Sequence, residues 1–193
     1  MNRKWILVWE LVGVILIIFA GSALHFVYEW TGSWRPIAWL AAVNESVWEH
    51  LKLAFWPAVV LAVVEYQFVK GKTHNYWLAK GFSIFIMPVV IVSGFYGYLA
   101  VAGKNAFIAN LVQFTLAVLA GQLCSYAIQT SPQAKRIWHF MGVAVILVML
   151  IAFSLLSYLP PQAFLWEDTR NHSYGLPVAT AHFQWFRVLA PKV

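Results

Sequence analysis

The sequence predicts an all-α integral membrane protein with about five transmembrane helices, forming a single domain over residues 1–193. Hydrophobic residues make up 62% of the 193 residues, and charged residues only 10%. A soluble domain carries about 25% charged residues, so this chain lacks the polar surface that keeps a protein dissolved. Long apolar runs and an uneven distribution of basic residues point to the same class.

Five apolar runs are long enough to cross a bilayer, because a spanning helix needs about 20 mainly apolar residues. Pro57 and Pro88 lie inside the second and third runs, where neighbouring membrane helices tolerate them. Pro160 and Pro161 are expected to stop the fifth helix, because proline lacks the backbone donor that would continue it. The approximate predicted spans are Trp5–Tyr28, Val47–Val69, Trp77–Ala100, Ala106–Gln129 and Ile137–Leu159.

The basic residues predict the orientation, because cytoplasmic loops of membrane proteins are enriched in Lys and Arg. With the N-terminus inside, the short external segments hold only Arg35, Lys52 and Lys104, and the tail 160–193 is also external. We therefore expect a multi-pass protein of a bacterial cytoplasmic membrane with its C-terminus outside. The basic residues on the predicted cytoplasmic side are Arg3, Lys4, Lys70, Lys72, Lys135 and Arg136.

The net charge and the cysteine content limit which partners, disulfides and metal sites we expect. The formal net charge is +6, but the basic residues are scattered between apolar runs, so we expect the lipid bilayer as partner and no nucleic acid. The single cysteine, Cys124, excludes an internal disulfide framework and a Cys-based zinc site. Five helices are few for a transporter, which makes a homodimer a candidate assembly.

The segment Asn44–Lys52 concentrates ionisable side chains at the start of the second run, and such clusters at a membrane border usually have a function. Small residues recur at helical spacing on both flanking helices, which favours a close contact between helices one and two. On helix one this stripe includes Gly21, Ser22 and His25, and on helix two it comprises Ser46, His50, Ala54, Ala58 and Ala62.

The spacing of acids and histidines also matches between these two helices. Glu10 precedes His25 by 15 positions, and His50 precedes Glu65 by 15. Fifteen residues of helix rise about 22 Å, most of the hydrocarbon thickness. Since the two helices should be antiparallel, we expect both histidines at the outer level and the intramembrane acids Glu10 and Glu65 at the inner level.

The outer residues suit a metal or a small ligand, as yet unidentified. His25, Glu29 and His50 are candidate ligands for a divalent metal such as zinc, because imidazole and carboxylate groups bind it well. Such a metal could activate water, which would make the protein a metal-dependent hydrolase acting at the outer interface. The candidate ligand-binding residues are Glu45, Ser46, Glu49, Lys52 and Asp168 from the tail.

A structural interpretation of the same residues remains open. Ser46 and Glu49 have the spacing of a capping box at the start of helix two, and Lys52 can pair with Glu49. The protein would then be a structural or partner-binding subunit. For the inner acids, Glu65 can pair with Lys70 or Lys80, and a proton or cation pathway is a further hypothesis.

Three motifs carry a family resemblance. They are Trp9-Glu10-x-x-Gly13, Gly21-Ser22-x-Leu24-His25-Phe26-x-Tyr28, and Asn44-Glu45-Ser46-x-Trp48-Glu49-His50-Leu51-Lys52-Leu53. Together with Pro57 and Glu65, they resemble an uncharacterised family of small polytopic bacterial membrane proteins. The resemblance implies a membrane location and no particular activity. It places His25, Glu45, Glu49 and His50 inside the motifs that define the family.

Overall fold

The computed structural model describes residues 2–176 as five long α-helices and one short 3-10 helix. All five α-helices are long and apolar enough to cross a membrane. The rest of the predicted external tail, residues 177–193, lies outside the described residues. The helices are α1 (Arg3–Trp30), α2 (Val47–Val69), α3 (Tyr76–Ala102), α4 (Phe107–Gln129) and α5 (Arg136–Leu155), and the 3-10 helix Arg35–Trp39 lies between α1 and α2.

The predicted spans agree closely with the helices at every end except the last. The prediction that the fifth helix reaches Leu159 is wrong, because α5 ends at Leu155. A residue before a proline disfavours helical backbone, and Leu159 precedes Pro160. The chain leaves the helix one turn earlier still, where the buried hydroxyl of Ser157 bonds to side chains of α2.

Helix α2 is the centre of the bundle, with 67% of its most apolar stretch buried. The predicted contact between α1 and α2 is confirmed, and a glycine permits it. A Cβ at Gly21 would lie 2.4 Å from the backbone oxygen of Leu53, so only glycine allows this separation. On the facing stripe, Ala54, Ala58 and Ala62 are all buried.

Helix α5 packs on α3 through a pair of glycines and leaves most of its surface uncovered. A Cβ at Gly81 would lie 2.4 Å from the carbonyl oxygen of Gly142. Only 11% of the most apolar stretch of α5 is buried, and residues such as Val148 are exposed. An apolar surface of this extent suits lipid contact rather than water.

The bundle has two ends with different contents. The loop end carries the connections 31–46 and 103–106 and the segment 156–176. The N-terminal end carries the start of α1 and the connections 70–75 and 130–135.

Candidate metal and ligand site

The first turn of α2 fixes the orientation of His50. Ser46 is in an extended conformation before the helix, and its Oγ accepts a hydrogen bond from Glu49 N at 3.3 Å. The carbonyl oxygen of Ser46 lies 2.8 Å from His50 Nδ1. Because a carbonyl only accepts, Nδ1 is the donor, and the neutral ring presents its lone pair at Nε2. Histidines that bind metals are commonly oriented through their other nitrogen in this way.

Three side chains converge at the loop end and form what we call the histidine cluster: His25 of α1, Glu45 of the α1–α2 connection, and His50. Each offers one ligand atom, and these three atoms lie within 4.8 Å of one another. Glu45 lies between the rings, with Oε1 3.8 Å from His25 Nε2 and Oε2 3.6 Å from His50 Nε2. The predicted common level of the two histidines is confirmed by a ring separation of 5.2 Å.

The segment after α5 folds over this cluster and positions Glu45. Asp168 is buried, and its carboxylate accepts bonds from the backbone of Glu45 at 3.4 Å and of Arg170 at 2.7 Å. Thr169 donates to the carbonyl oxygen of Glu45 at 3.1 Å. Arg170 extends back over the cluster, with Nη2 3.1 Å from Glu45 Oε1. Asp168 therefore supports the cluster through backbone contacts and does not point a ligand atom into it.

A cavity of about 420 Å³ adjoins the histidine cluster between α1, α2, α3 and α4. Its walls are mostly apolar and aromatic, and its charged groups lie together, because His25, His50 and Arg170 all contact Glu45. This combination is typical of a pocket for a small molecule with one polar end. Apolar wall residues include Phe26, Leu53, Ile91, Phe95, Leu111 and Phe114.

Glu49 and Lys52, two of the candidate ligand-binding residues, form a buried ion pair, which is the pairing that the structural interpretation of the sequence had offered. Lys52 Nζ lies 2.6 Å from Glu49 Oε2, and it also donates to Ser157 Oγ at 2.8 Å. Two carbonyl oxygens of the α1–α2 connection, of Ala38 and Ala41, complete its partners at 2.7 Å each. Lys52 thus joins α2 to this connection and to the chain after α5.

The capping box is only half formed, because Glu49 does not bond back to the backbone of Ser46. Asn44 Oδ1 accepts that bond at 2.9 Å. Glu49 accepts from Val43 N at 3.0 Å and from Ser157 Oγ at 2.6 Å.

Glu29, a predicted metal ligand, is exposed, and it is not one of the three converging ligands found within residues 2–176. Arg170 is the residue that the sequence reasoning missed, although it follows the candidate Asp168 by two positions.

A second polar cluster, the glutamate–lysine cluster, lies nearer the N-terminal end and comprises Glu10, Glu65 and Lys80. Lys80 Nζ is 2.8 Å from Glu10 Oε1 and 2.6 Å from Glu65 Oε2, which confirms that the two acids share a level. All three side chains are at most 3% exposed. Of the two partners predicted for Glu65, Lys80 makes the contact. Glu10 also accepts from Ser125 Oγ at 2.6 Å and from Gln129 Nε2 at 2.5 Å.

Comparison with known proteins gives one result. No curated protein and no solved structure matches the chain. A family described as "Family of unknown function (DUF6512)" matches residues 1–176, the part of the chain that holds all five helices and both polar clusters. The chain therefore belongs to this family of unknown function.

Proposed function

We propose that the protein is an integral protein of a bacterial cytoplasmic membrane that binds a divalent metal such as zinc at its external face. The observation that carries this proposal is the convergence of His25, Glu45 and His50, whose ligand atoms lie within 4.8 Å of one another. Two imidazoles and one carboxylate are a ligand set that zinc accepts, and three protein ligands leave one coordination position open.

The distances are close to those that a metal requires. Zinc–ligand bonds of about 2.0–2.2 Å place two ligand atoms of a tetrahedral site about 3.3–3.6 Å apart. Glu45 lies 3.8 Å and 3.6 Å from the two imidazole nitrogens. Small rotations of these partly exposed side chains would close the site. The backbone contacts of Asp168 and Thr169 hold Glu45 near this position.

Arg170 would change partner when the metal binds. Its side chain is 75% exposed, so its ion pair with Glu45 is of the weak surface type. With Glu45 bound to a metal, the guanidinium would be available for an anionic group at the open coordination position. A metal at the mouth of an apolar cavity, beside an arginine, suits an amphipathic ligand with an acidic head.

The external location is supported by charge. The N-terminal end carries six basic residues, as cytoplasmic ends of membrane proteins do: Arg3, Lys4, Lys70, Lys72, Lys135 and Arg136. Lys52 belongs to the loop end but is fully buried against Glu49, so it adds no free positive charge there. In the two connections of the loop end, residues 31–46 and 103–106, the exposed basic side chains are Arg35 and Lys104.

The test is the metal content of protein purified in detergent without chelators, measured by mass spectrometry, followed by titration of stripped protein with Zn²⁺. We expect near-stoichiometric metal or tight Zn²⁺ binding in the wild type and loss of both in a His25→Ala, His50→Ala variant. The matched control is His74→Ala, His139→Ala, which removes two histidines from the other end of the bundle. Circular dichroism and size exclusion would establish that both variants are folded.

Two results would overturn the proposal. One is wild-type protein that contains no metal and does not bind Zn²⁺ in the titration. The other is a folded His25→Ala, His50→Ala variant that binds Zn²⁺ as the wild type does.

A second candidate function, metal-dependent hydrolysis at the outer interface, is favoured by the adjoining cavity. An open zinc position can activate water, and the cavity of about 420 Å³ would hold the substrate beside it. The test is to incubate zinc-loaded protein with phospholipid vesicles and follow released products by mass spectrometry. Hydrolysis that needs both zinc and His50 would support this activity, whereas metal binding without turnover would leave a binding protein.

A further inference from the structure

We propose that the glutamate–lysine cluster is a proton-binding site, in which Glu10 and Glu65 share one proton beside the ammonium group of Lys80. This inference is independent of the histidine cluster, which lies at the other level of α1 and α2. It rests on the charges of these three side chains, on their burial, and on nearby buried oxygen atoms that lack a hydrogen-bond partner.

The charge count leaves one negative charge in excess. Fully ionised, Glu10 and Glu65 contribute two negative charges, and Lys80 contributes one positive charge. Lys80 Nζ contacts both carboxylates, so a single ammonium group serves two acids. One additional proton on either carboxylate makes the cluster neutral. Because Lys80 Nζ contacts both carboxylates, this proton belongs to the pair of carboxyls rather than to either one.

Within residues 2–176, the contacts of the cluster include no further charged side chain that would balance the excess. Glu10 and Glu65 are at most 1% exposed, so water does not screen them. From α4, the cluster meets the neutral groups of Ser125, Gln129 and Gln122. Other titratable side chains nearby are Tyr76 of α3 and Cys124 of α4. A buried charge without a counter-charge is costly enough that such groups become neutral instead.

Unpartnered oxygen atoms provide the second, independent observation. Within the described residues, Glu10 Oε2, Glu65 Oε1 and Gln129 Oε1 are buried and lack a hydrogen-bond donor. Gln129 is itself fully buried, with its amide nitrogen directed at Glu10 Oε1. Buried acceptors in native proteins are nearly always satisfied, so three in one enclosed cluster indicate a missing donor. A carboxyl proton supplies one.

A proton fits the site better than a metal cation does. Lys80 Nζ already lies between the two carboxylates, at 2.6 Å and 2.8 Å, where a cation would have to bind. At the N-terminal end, a cavity of about 170 Å³ is lined by Lys70, His74, Tyr76 and His139. Tyr76 also faces the cluster, because Lys80 Nζ is 5.5 Å from the centre of its ring.

The test is infrared spectroscopy of the full chain in lipid vesicles at neutral pH, in the C=O stretching region of protonated carboxyl groups. We expect such a band in the wild type and its loss in Glu10→Gln and in Glu65→Gln. Each of these variants is neutral without the extra proton, so each should fold. The matched control is Glu29→Gln at an exposed acid, which should keep the band. Lys80→Met should increase the band about twofold, because both carboxyls must then be neutral.

Three outcomes would overturn the proposal. The first is the absence of the band in the wild type. The second is a band that persists unchanged in both folded Glu→Gln variants. The third is a wild-type band that appears only when Na⁺ is withdrawn, which would make the site a sodium site.

Discussion

Glu49 and Lys52 lie one turn apart on α2 and form an ion pair of 2.6 Å that is almost completely buried. Their remaining bonds go to the backbone of the α1–α2 connection and to Ser157 after α5. The pair therefore ties two separate loop segments to the central helix. It holds in place the same connection that presents Glu45 to the two histidines.

Lys52→Met should be strongly destabilising. The substitution leaves Glu49 as a buried charge without its partner, and breaking a buried pair in this way costs about 3–5 kcal/mol. Denaturant unfolding in detergent micelles would measure the loss. Lys104→Met, at an exposed lysine of the same end, serves as the control and should change little. Equal stabilities of the two variants would contradict the structural role of the pair.

Ser46→Ala and Glu49→Ala should differ, although a simple capping box predicts similar losses. Ser46→Ala removes only the bond to Glu49 N, so we expect a loss of about 1 kcal/mol in the free energy of unfolding. Zn²⁺ binding should be retained, because the backbone carbonyl of Ser46, not its hydroxyl, orients His50. Glu49→Ala also leaves Lys52 as a buried charge without its ion-pair partner, so its loss in the free energy of unfolding should be several-fold larger. Comparable unfolding free energies for both variants would argue for capping alone.

Gly21→Ala should weaken Zn²⁺ binding. A methyl group there would meet the backbone of Leu53 at 2.4 Å, so α1 must move away from α2 and carry His25 away from His50. Loss of ligand positioning typically lowers metal affinity by about tenfold or more. In Gly97→Ala the new methyl group meets no atom within 4 Å, and Zn²⁺ binding should be unchanged. Titration of both stripped proteins with Zn²⁺ compares them directly.

Asp168→Ala should also lower Zn²⁺ affinity, although Asp168 offers no ligand to the cluster. Its carboxylate holds the backbone of Glu45 and of Arg170, so its removal frees the carboxylate ligand of the site. We expect a reduction of about tenfold. Asp168→Asn retains an oxygen acceptor and should recover much of the affinity. Equal Zn²⁺ affinities of the Asp168→Asn and Asp168→Ala variants would show that this positioning contact does not affect metal binding.

The helix spans and the common depths of the polar residues could be predicted because they depend on one helix at a time. A rise of about 1.5 Å per residue converts the spacing from Glu10 to His25 into a depth, and the helical period places His50 above Ala54 on one face. Short connections then fix neighbouring helices as antiparallel. These local rules explain why the contact of α1 with α2 was predicted and why the end of α5, which depends on Ser157, was not.

By itself, the sequence determined that five helices are long and apolar enough to cross a membrane, that the two histidines share one level, and that Glu10 and Glu65 share another. Only the tertiary structure decided their partners. It directed Glu45 to the histidines but Glu49 to Lys52, brought Arg170 over the cluster, and placed Lys80 between Glu10 and Glu65. The reason is physical: rise and period fix depth and face along one helix, whereas a side-chain bond needs a partner atom within about 3 Å, whose position depends on how the segments pack together. That separation is set by packing, as at Gly21.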